Sequence, residues 1–223
     1  MPHLPNLDAL DADGAIRDSA EAAGLDRGDF LKKGVLAGGG LLAGGAMFSG
    51  YLSTAEAAIS KHRSKSNDVK ILNYALTLEF LEAAFYKQAV ANAAFGSSAP
   101  LKAFAETVAD HEAKHVTFLK KALGSAAIKS PTFDFGDTVT DPAKFAATAQ
   151  VLEDTGVSAY LGQVGNLSQR AVLAAAGTIA TIEARHAAWI RDINGTNPAP
   201  AAFDVPKSEK AILKAVTATG FIK

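Results

Sequence analysis

The sequence predicts an all-α protein: four helices in two hairpins, joined by one long crossover and closed by a short C-terminal helix. Three observations predict it. Alanine is abundant, while strand-forming runs of Val, Ile, Thr and Tyr are missing. From Asn67 onward, apolar residues recur at helical spacing between recognisable start and stop signals. The links within each hairpin are a few residues long, whereas the link between hairpins takes up 124–140.

Residues 1–33 form an acidic extension ending in a basic patch. Seven Asp and Glu in the first 29 residues stand against Arg17 and Arg27, a composition that predicts a flexible segment. Residues 34–58 follow as a Gly-rich apolar segment ending in Ala55-Glu56-Ala57. A basic patch, a weakly apolar run and an A-x-A ending have the layout of an export signal, so the protein is expected to be exported to the periplasm, cell envelope or exterior. The run Arg27-Gly28-Asp29-Phe30-Leu31-Lys32-Lys33 resembles the twin-arginine translocation motif, with Gly28 in place of the second arginine. An uncleaved membrane anchor or a packed Gly-rich helix is the alternative, and seven Gly in 34–54 weigh against a stable span.

The bundle is expected over 67–206. Asp68 is the expected cap of helix one, which carries Ile71, Leu72, Ala75, Leu78, Glu79, Glu82, Phe85 and Tyr86 and stops before the turn at Phe95-Gly96-Ser97-Ser98. Helix two starts near Pro100, which suits a first turn, and ends at Gly124. Asp141-Pro142 opens helix three, which reaches about Gln163. After Gly165-Asn166, helix four runs to Asn194-Gly195. A wrapping loop through Pro198 and Pro200 leads to 207–223, where Ser208 begins a short closing helix. About 16 extended residues between the hairpins reach roughly 50 Å, more than the roughly 30 Å of a 20-residue helix. The link can therefore traverse the whole bundle and bring helix three back to the end where helix two began.

Composition removes several function classes. A net charge of −1 gives no electrostatic footprint for nucleic acid or an acidic membrane surface. With no Cys, thiolate zinc, iron–sulfur and cysteine-nucleophile chemistry are excluded.

The chemistry lies in two Glu-x-x-His pairs, Glu112–His115 and Glu183–His186. Residues i and i+3 of a helix share a face, so each pair can offer a carboxylate and an imidazole to one metal. With nine Glu in the chain, two such pairs among its His arise by chance in about one chain in a hundred. The hairpins also repeat one another: Leu78-Glu79 and Leu152-Glu153 are each followed seven residues after the Glu by a tyrosine, Tyr86 and Tyr160. Each hairpin thus supplies one Glu and then one Glu-x-x-His. A twofold arrangement of this kind gives four carboxylates and two imidazoles, Glu79, Glu112, His115, Glu153, Glu183 and His186, around two metals.

The segments 76–86, 152–160 and 182–189 are similar to recurring stretches of the ferritin-like domain proteins, a group that is often exported and includes desiccation-related members. The resemblance covers roughly 67–206 and implies a ferritin-like four-helix bundle with a di-iron or di-manganese centre. It implies that Glu79 and Glu153 are single-Glu ligands, that Glu112 and Glu183 bridge the metals, and that His115 and His186 each cap one. Tyr86 and Tyr160 return to the face of their Glu and are candidates to bond ligand carboxylates, or else plain core aromatics. Trp189 is a candidate to pack beside His186, and Glu82, one turn from Glu79, to support the site, to ligate or to be exposed. His111, one turn before His115, reads as a hydrogen-bonded core or rim residue. Glu79 has a bland rival role as a buried partner of Arg185. Asp110 and Asp154 read as solvated, and His3 and His62 need no role.

The leading functional expectation is a metal-dependent redox protein acting on Fe(II) with dioxygen, or on peroxide at two manganese ions, since hard oxygen ligands with imidazole suit both metals. Its partners would be metal ions and dioxygen or peroxide. A non-catalytic exported protectant against stress or desiccation, with a structural or vestigial metal, is the alternative. Storage in a hollow shell would need a large oligomer, and the sequence leaves monomer, dimer and shell open.

Overall fold

The structure, a computed structural model, describes residues 59–223. The expectations for the acidic extension, the export-like segment and His3 therefore lie outside the described residues. Five α-helices account for most of what is described: α1 (Lys65–Ala91), α2 (Ala99–Leu123), α3 (Pro142–Val164), α4 (Arg170–Ile193) and α5 (Glu209–Thr219). Among the described residues no helix is long and apolar enough to cross a membrane.

The helix ends follow side-chain chemistry. Ser98, Asp141 and Ser208 accept from the backbone N–H groups of Leu101, Lys144 and Ala211, capping α2, α3 and α5. One expected cap is elsewhere. Ser64, not Asp68, caps α1, by accepting from the Asn67 N–H. Asp68 lies fully buried one turn inside the helix and reaches across to the turn that starts α4. Its carboxylate accepts from the Ser168 N–H and hydroxyl (both 2.8 Å) and from the Gln169 N–H and side-chain amide (both 3.0 Å). Gln169 makes no side-chain cap for α4, so the partner helix supplies the acceptor.

Helix directions can be read from the pairs that meet. Tyr86 of α1 meets Glu153 of α3, and Tyr160, further along α3, meets Glu79, further back on α1. The two helices are therefore antiparallel. Phe104, His111 and His115 of α2 meet Trp189, His186 and Glu183 of α4 in descending order, so these are antiparallel too. As α1 also runs against α2, helices α2 and α3 point the same way although they are consecutive in the chain. The segment between them must run the length of the bundle, the single long crossover of a ferritin-like fold.

That crossover lies along α1. Asn73 fixes its start by donating to the Ala126 carbonyl (2.9 Å) and accepting from the Ile128 N–H (3.0 Å). Phe135 then packs edge-on to Phe85, twelve residues up the same helix. The C-terminal residues pin the crossover from outside, with the Asp134 N–H on the Phe221 carbonyl (2.8 Å) and the Lys223 N–H on the Thr132 carbonyl (3.0 Å). Covered by α2, α3 and this strap, α1 buries every residue from Tyr74 to Glu82. It has no polar face there because it has no free side.

Two apolar clusters fill the bundle. One contains Phe85, Phe104, Phe145 and Ile190, together with Ile212 and Val216 of α5. The other contains Leu76, Leu119 and Ile179. In the first, Phe85 stacks on Phe145 with centroids 5.5 Å apart and meets Tyr86 edge-on at 5.2 Å. Such ring pairs add about 0.5–1.5 kcal/mol each beyond simple burial. α5 is seated through the segment before it: the Lys207 N–H donates to the Ser158 carbonyl (3.0 Å), and a Cβ on Gly162 would overlap the Lys207 carbonyl oxygen. Only glycine at 162 allows that approach.

Candidate metal centre

Glu79, Glu112, Glu153 and Glu183 occupy the middle turns of the four bundle helices, between the two apolar clusters. The 3.6-residue period brings His115 and His186 onto the same inward faces, one turn after Glu112 and Glu183. All four carboxyls are buried, His186 is buried, and His115 keeps only 12% of its side chain exposed.

The six side chains form two overlapping groups. Glu79, Glu112, His115 and Glu183 make one; Glu112, Glu153, Glu183 and His186 make the other. Within each group the ligand-type atoms lie within 4.8 Å of one another. Glu112 and Glu183 belong to both, while each single Glu and each His belongs to one. The twofold repeat of the sequence is thus reproduced in space.

His115 Nδ1 stands 3.2 Å from each of three carboxylate oxygens, on Glu79, Glu112 and Glu183. One ring hydrogen cannot serve three acceptors at once. His186 Nδ1 lies 3.3 Å from oxygens of Glu112 and Glu153 yet bonds neither. Oxygens of Glu112 and Glu153 and both of Glu183 are likewise buried without a hydrogen-bond partner. A dry core ordinarily leaves few such atoms, because each costs about 1–3 kcal/mol. Converging lone pairs with too few hydrogens between them are what a cation would satisfy, and carboxylate oxygen with imidazole nitrogen suits hard and borderline divalent ions. The residues fit a metal centre.

Electrostatics without a cation point the same way. Burial pushes the Glu112 and Glu183 carboxyls well above the ordinary range, and the neighbouring carboxylates add to the rise. Glu79 goes the other way: burial raises it, but hydrogen bonds from His115 and its neighbours outweigh that and hold it below the usual value. Burial lowers the His115 imidazole, and the close carboxyls of Glu112, Glu183 and Glu79 overturn this and push it up to about 12. Protons therefore stand in for positive charge.

The two tyrosines bond across the hairpins. Tyr86 donates to Glu153, and Tyr160 donates to Glu79. Each hydroxyl thus holds the single Glu of the opposite hairpin, not that of its own. His111 stacks on the His186 ring, centroids 5.2 Å apart, with its Nδ1 2.9 Å from His186 Nε2. Either ring nitrogen of this pair can be the donor; with a metal on His186 Nδ1, its Nε2 would carry the hydrogen and donate to His111.

The remaining candidates divide, with the readings of Arg185 and Asp154 corrected. Trp189 packs edge-on to Phe104 at 5.3 Å, and the ring contacts of His186 are with His111 and His115. Arg185 is exposed and is not the partner of Glu79. Asp154 is half-buried and takes two bonds from Arg191, at 3.0 and 2.8 Å, instead of being solvated. Burial raises its carboxyl against the pull of that guanidinium. Asp110 is exposed beside Lys114, and His62 is exposed.

Glu82 is buried, so its exposed reading fails, and it falls in neither group. Burial and then the Glu183 charge raise its carboxyl strongly. Gly156, which the sequence reading passed over, makes room here: a Cβ would stand 3.1 Å from a Glu183 oxygen and 3.4 Å from a Glu82 oxygen. The signal was available, since a glycine inside a helix costs about 1 kcal/mol against alanine and marks a close approach.

A family model described as ferritin-like domain matches residues 67–196. No curated protein matches the chain. The matched stretch holds α1 to α4 almost entire, with the crossover and all six clustered side chains, and it is more than half of the 223-residue chain. By fold, by site and by this match, the chain belongs to the ferritin-like domain family.

Proposed function

We propose that the protein is a dinuclear iron or manganese redox protein acting on dioxygen with Fe(II), or on peroxide. The observation that carries this reading is the buried set of four carboxyls and two imidazoles whose lone pairs outnumber their hydrogens. Glu79 and His115 would hold one ion, Glu153 and His186 the other, and Glu112 and Glu183 would touch both. Bound there, the metals would supply one-electron redox steps and Lewis acidity toward an oxygen substrate.

The chain's own residues do the rest. Four carboxylates offset the charge of two divalent ions, so the loaded interior is close to neutral. Tyr86 and Tyr160 fix the rotamers of Glu153 and Glu79, and His111 fixes the tautomer of His186. The apolar clusters above and below keep bulk water away. The export-like layout of 26–57 supports a location outside the cytoplasm. A scaffold with no metal role would gain nothing from these acids, whose burial without partners costs stability.

The test is to load metal-free protein anaerobically with Fe(II) or Mn(II) and then add dioxygen or peroxide. The Fe(II) form should consume dioxygen, or the Mn(II) form should decompose peroxide, faster than the same concentration of free metal. No gain over free metal with either ion and either oxidant would contradict the redox reading.

A further inference from the structure

Beyond the acid cluster, toward the start of α1, the bundle contains an apolar chamber between all four helices. Leu78, Leu119, Tyr160, Ala176 and Ile179 are among its walls, and the exposed Phe118 stands at its edge. Its origin is local. Where α4 faces the chamber it carries Ala175 and Ala176, too small to fill the space that Leu or Phe would take. A packed core gains stability by closing such a gap, so this one is kept at a cost.

Two properties select its occupant. The cavity volume is about 30 Å³, room for about two or three water-sized molecules. The accessible wall is apolar throughout, and the Gln163 carbonyl beside it is engaged by Asn166 at 3.0 Å. A water needs about two to four polar partners to stay; the Tyr74 hydroxyl, buried without a partner, is beside the chamber but adds no polar area to its accessible wall, which is too few. What fits is a small apolar molecule. The chamber also reaches the centre through one side chain: the Tyr160 ring is part of the wall, and its hydroxyl donates to Glu79.

We propose that this chamber binds dioxygen and passes it to the Glu79 side of the centre, with Tyr160 as the partition. The binding step stands on the cavity alone, and the delivery step rests on the redox reading above. Dioxygen is small and apolar, so it partitions into a dry apolar space where water and ions do not, and the chamber holds it one side chain from the carboxylates.

Xenon probes the binding step without metal or turnover. Crystals of the whole protein under xenon pressure should show xenon between Leu78, Ala176 and Ile179, and Ala176→Phe should lose it. Ala176→Leu, a smaller filling that the helix accepts readily, serves if the Phe variant does not fold. In Fe(II)-loaded protein the same filling should leave bound Fe(II) unchanged and lower the dioxygen-dependent oxidation rate several-fold at low dioxygen, with peroxide oxidation unaffected. No xenon in the chamber of the wild-type protein would overturn the proposal. So would a filled chamber with unchanged dioxygen kinetics. Failure of the protein to bind metal at all would show separately in the Fe(II) content and would remove the delivery step, leaving xenon to decide the binding step.

Discussion

At the scale of single residues, most of the clustered side chains were legible because ligand geometry on a helix is periodic. Glu112–His115 and Glu183–His186 announce themselves by i, i+3 spacing, and Glu79 and Glu153 by the repeat of Leu-Glu with a tyrosine seven residues on. The partners of those groups were harder to read. Spacing places Tyr86 on the face of Glu79, but its hydroxyl goes to Glu153, because facing helices bring the opposite hairpin closer than one's own next turn. Pairing across helices depends on register, which one helix's periodicity does not contain; Asp154, held by Arg191, was misread for the same reason. The tyrosines yield a prediction. Tyr86→Phe keeps the ring packing on Phe104 and Phe145 but removes the hydrogen that, among the described residues, is directed at that Glu153 oxygen. Metal affinity should fall about 10–100-fold with helical circular dichroism unchanged. Metal titration of the two proteins side by side checks it, and equal affinities would return Tyr86 to a purely packing role.

At the scale of elements, four helices, their stops and the long crossover were readable, because caps and breakers are local chemistry. Ser98, Asp141 and Ser208 behave as their positions suggest. Asp68 shows where local reading ends. An Asp near a helix start is ordinarily its cap, yet an upstream serine, Ser64, takes that role and frees Asp68 to bind the entry to α4. Burial raises its carboxyl, but four hydrogen bonds from Ser168 and Gln169 outweigh that and hold it below the ordinary value of 3.8. Its contribution to stability is present above pH 3.8 and is lost as the pH falls through the lower folded value. Asp68→Ala leaves four donors short of an acceptor and should cost about 2–3 kcal/mol. Urea unfolding at neutral pH measures this, and a loss well under 1 kcal/mol would mean that water replaces the carboxylate freely.

At the scale of the molecule, the proposed metal binding would be linked to stability in one equilibrium. His115 is ordinarily half-protonated at 6.5 but is held to about 12 in the metal-free bundle, so its contribution is full below pH 6.5 and is lost as the pH rises through about 12. Glu112 and Glu183 are also raised, from 4.5, so their contribution is full below that value and fades as the pH rises through their folded values. Both effects make the metal-free protein less stable as pH rises, and both make metals compete with protons. Metal binding should therefore release protons and tighten with pH. The rise in Tm on loading should be larger in mildly alkaline than in mildly acidic buffer, as paired calorimetric scans would show; a pH-independent rise would mean that the carboxyls are already ionised.

If six residues from four helices make one dinuclear centre, as proposed above, metal stoichiometry will show it. Elemental analysis of the full-length protein after Fe(II) or Mn(II) loading and desalting should give about two ions per chain, bound to the two overlapping groups. Glu112→Ala and His186→Ala should each lose most of that metal while keeping their helical circular dichroism. A wild-type protein that takes up neither ion, or variants that keep the wild-type content, would contradict the account.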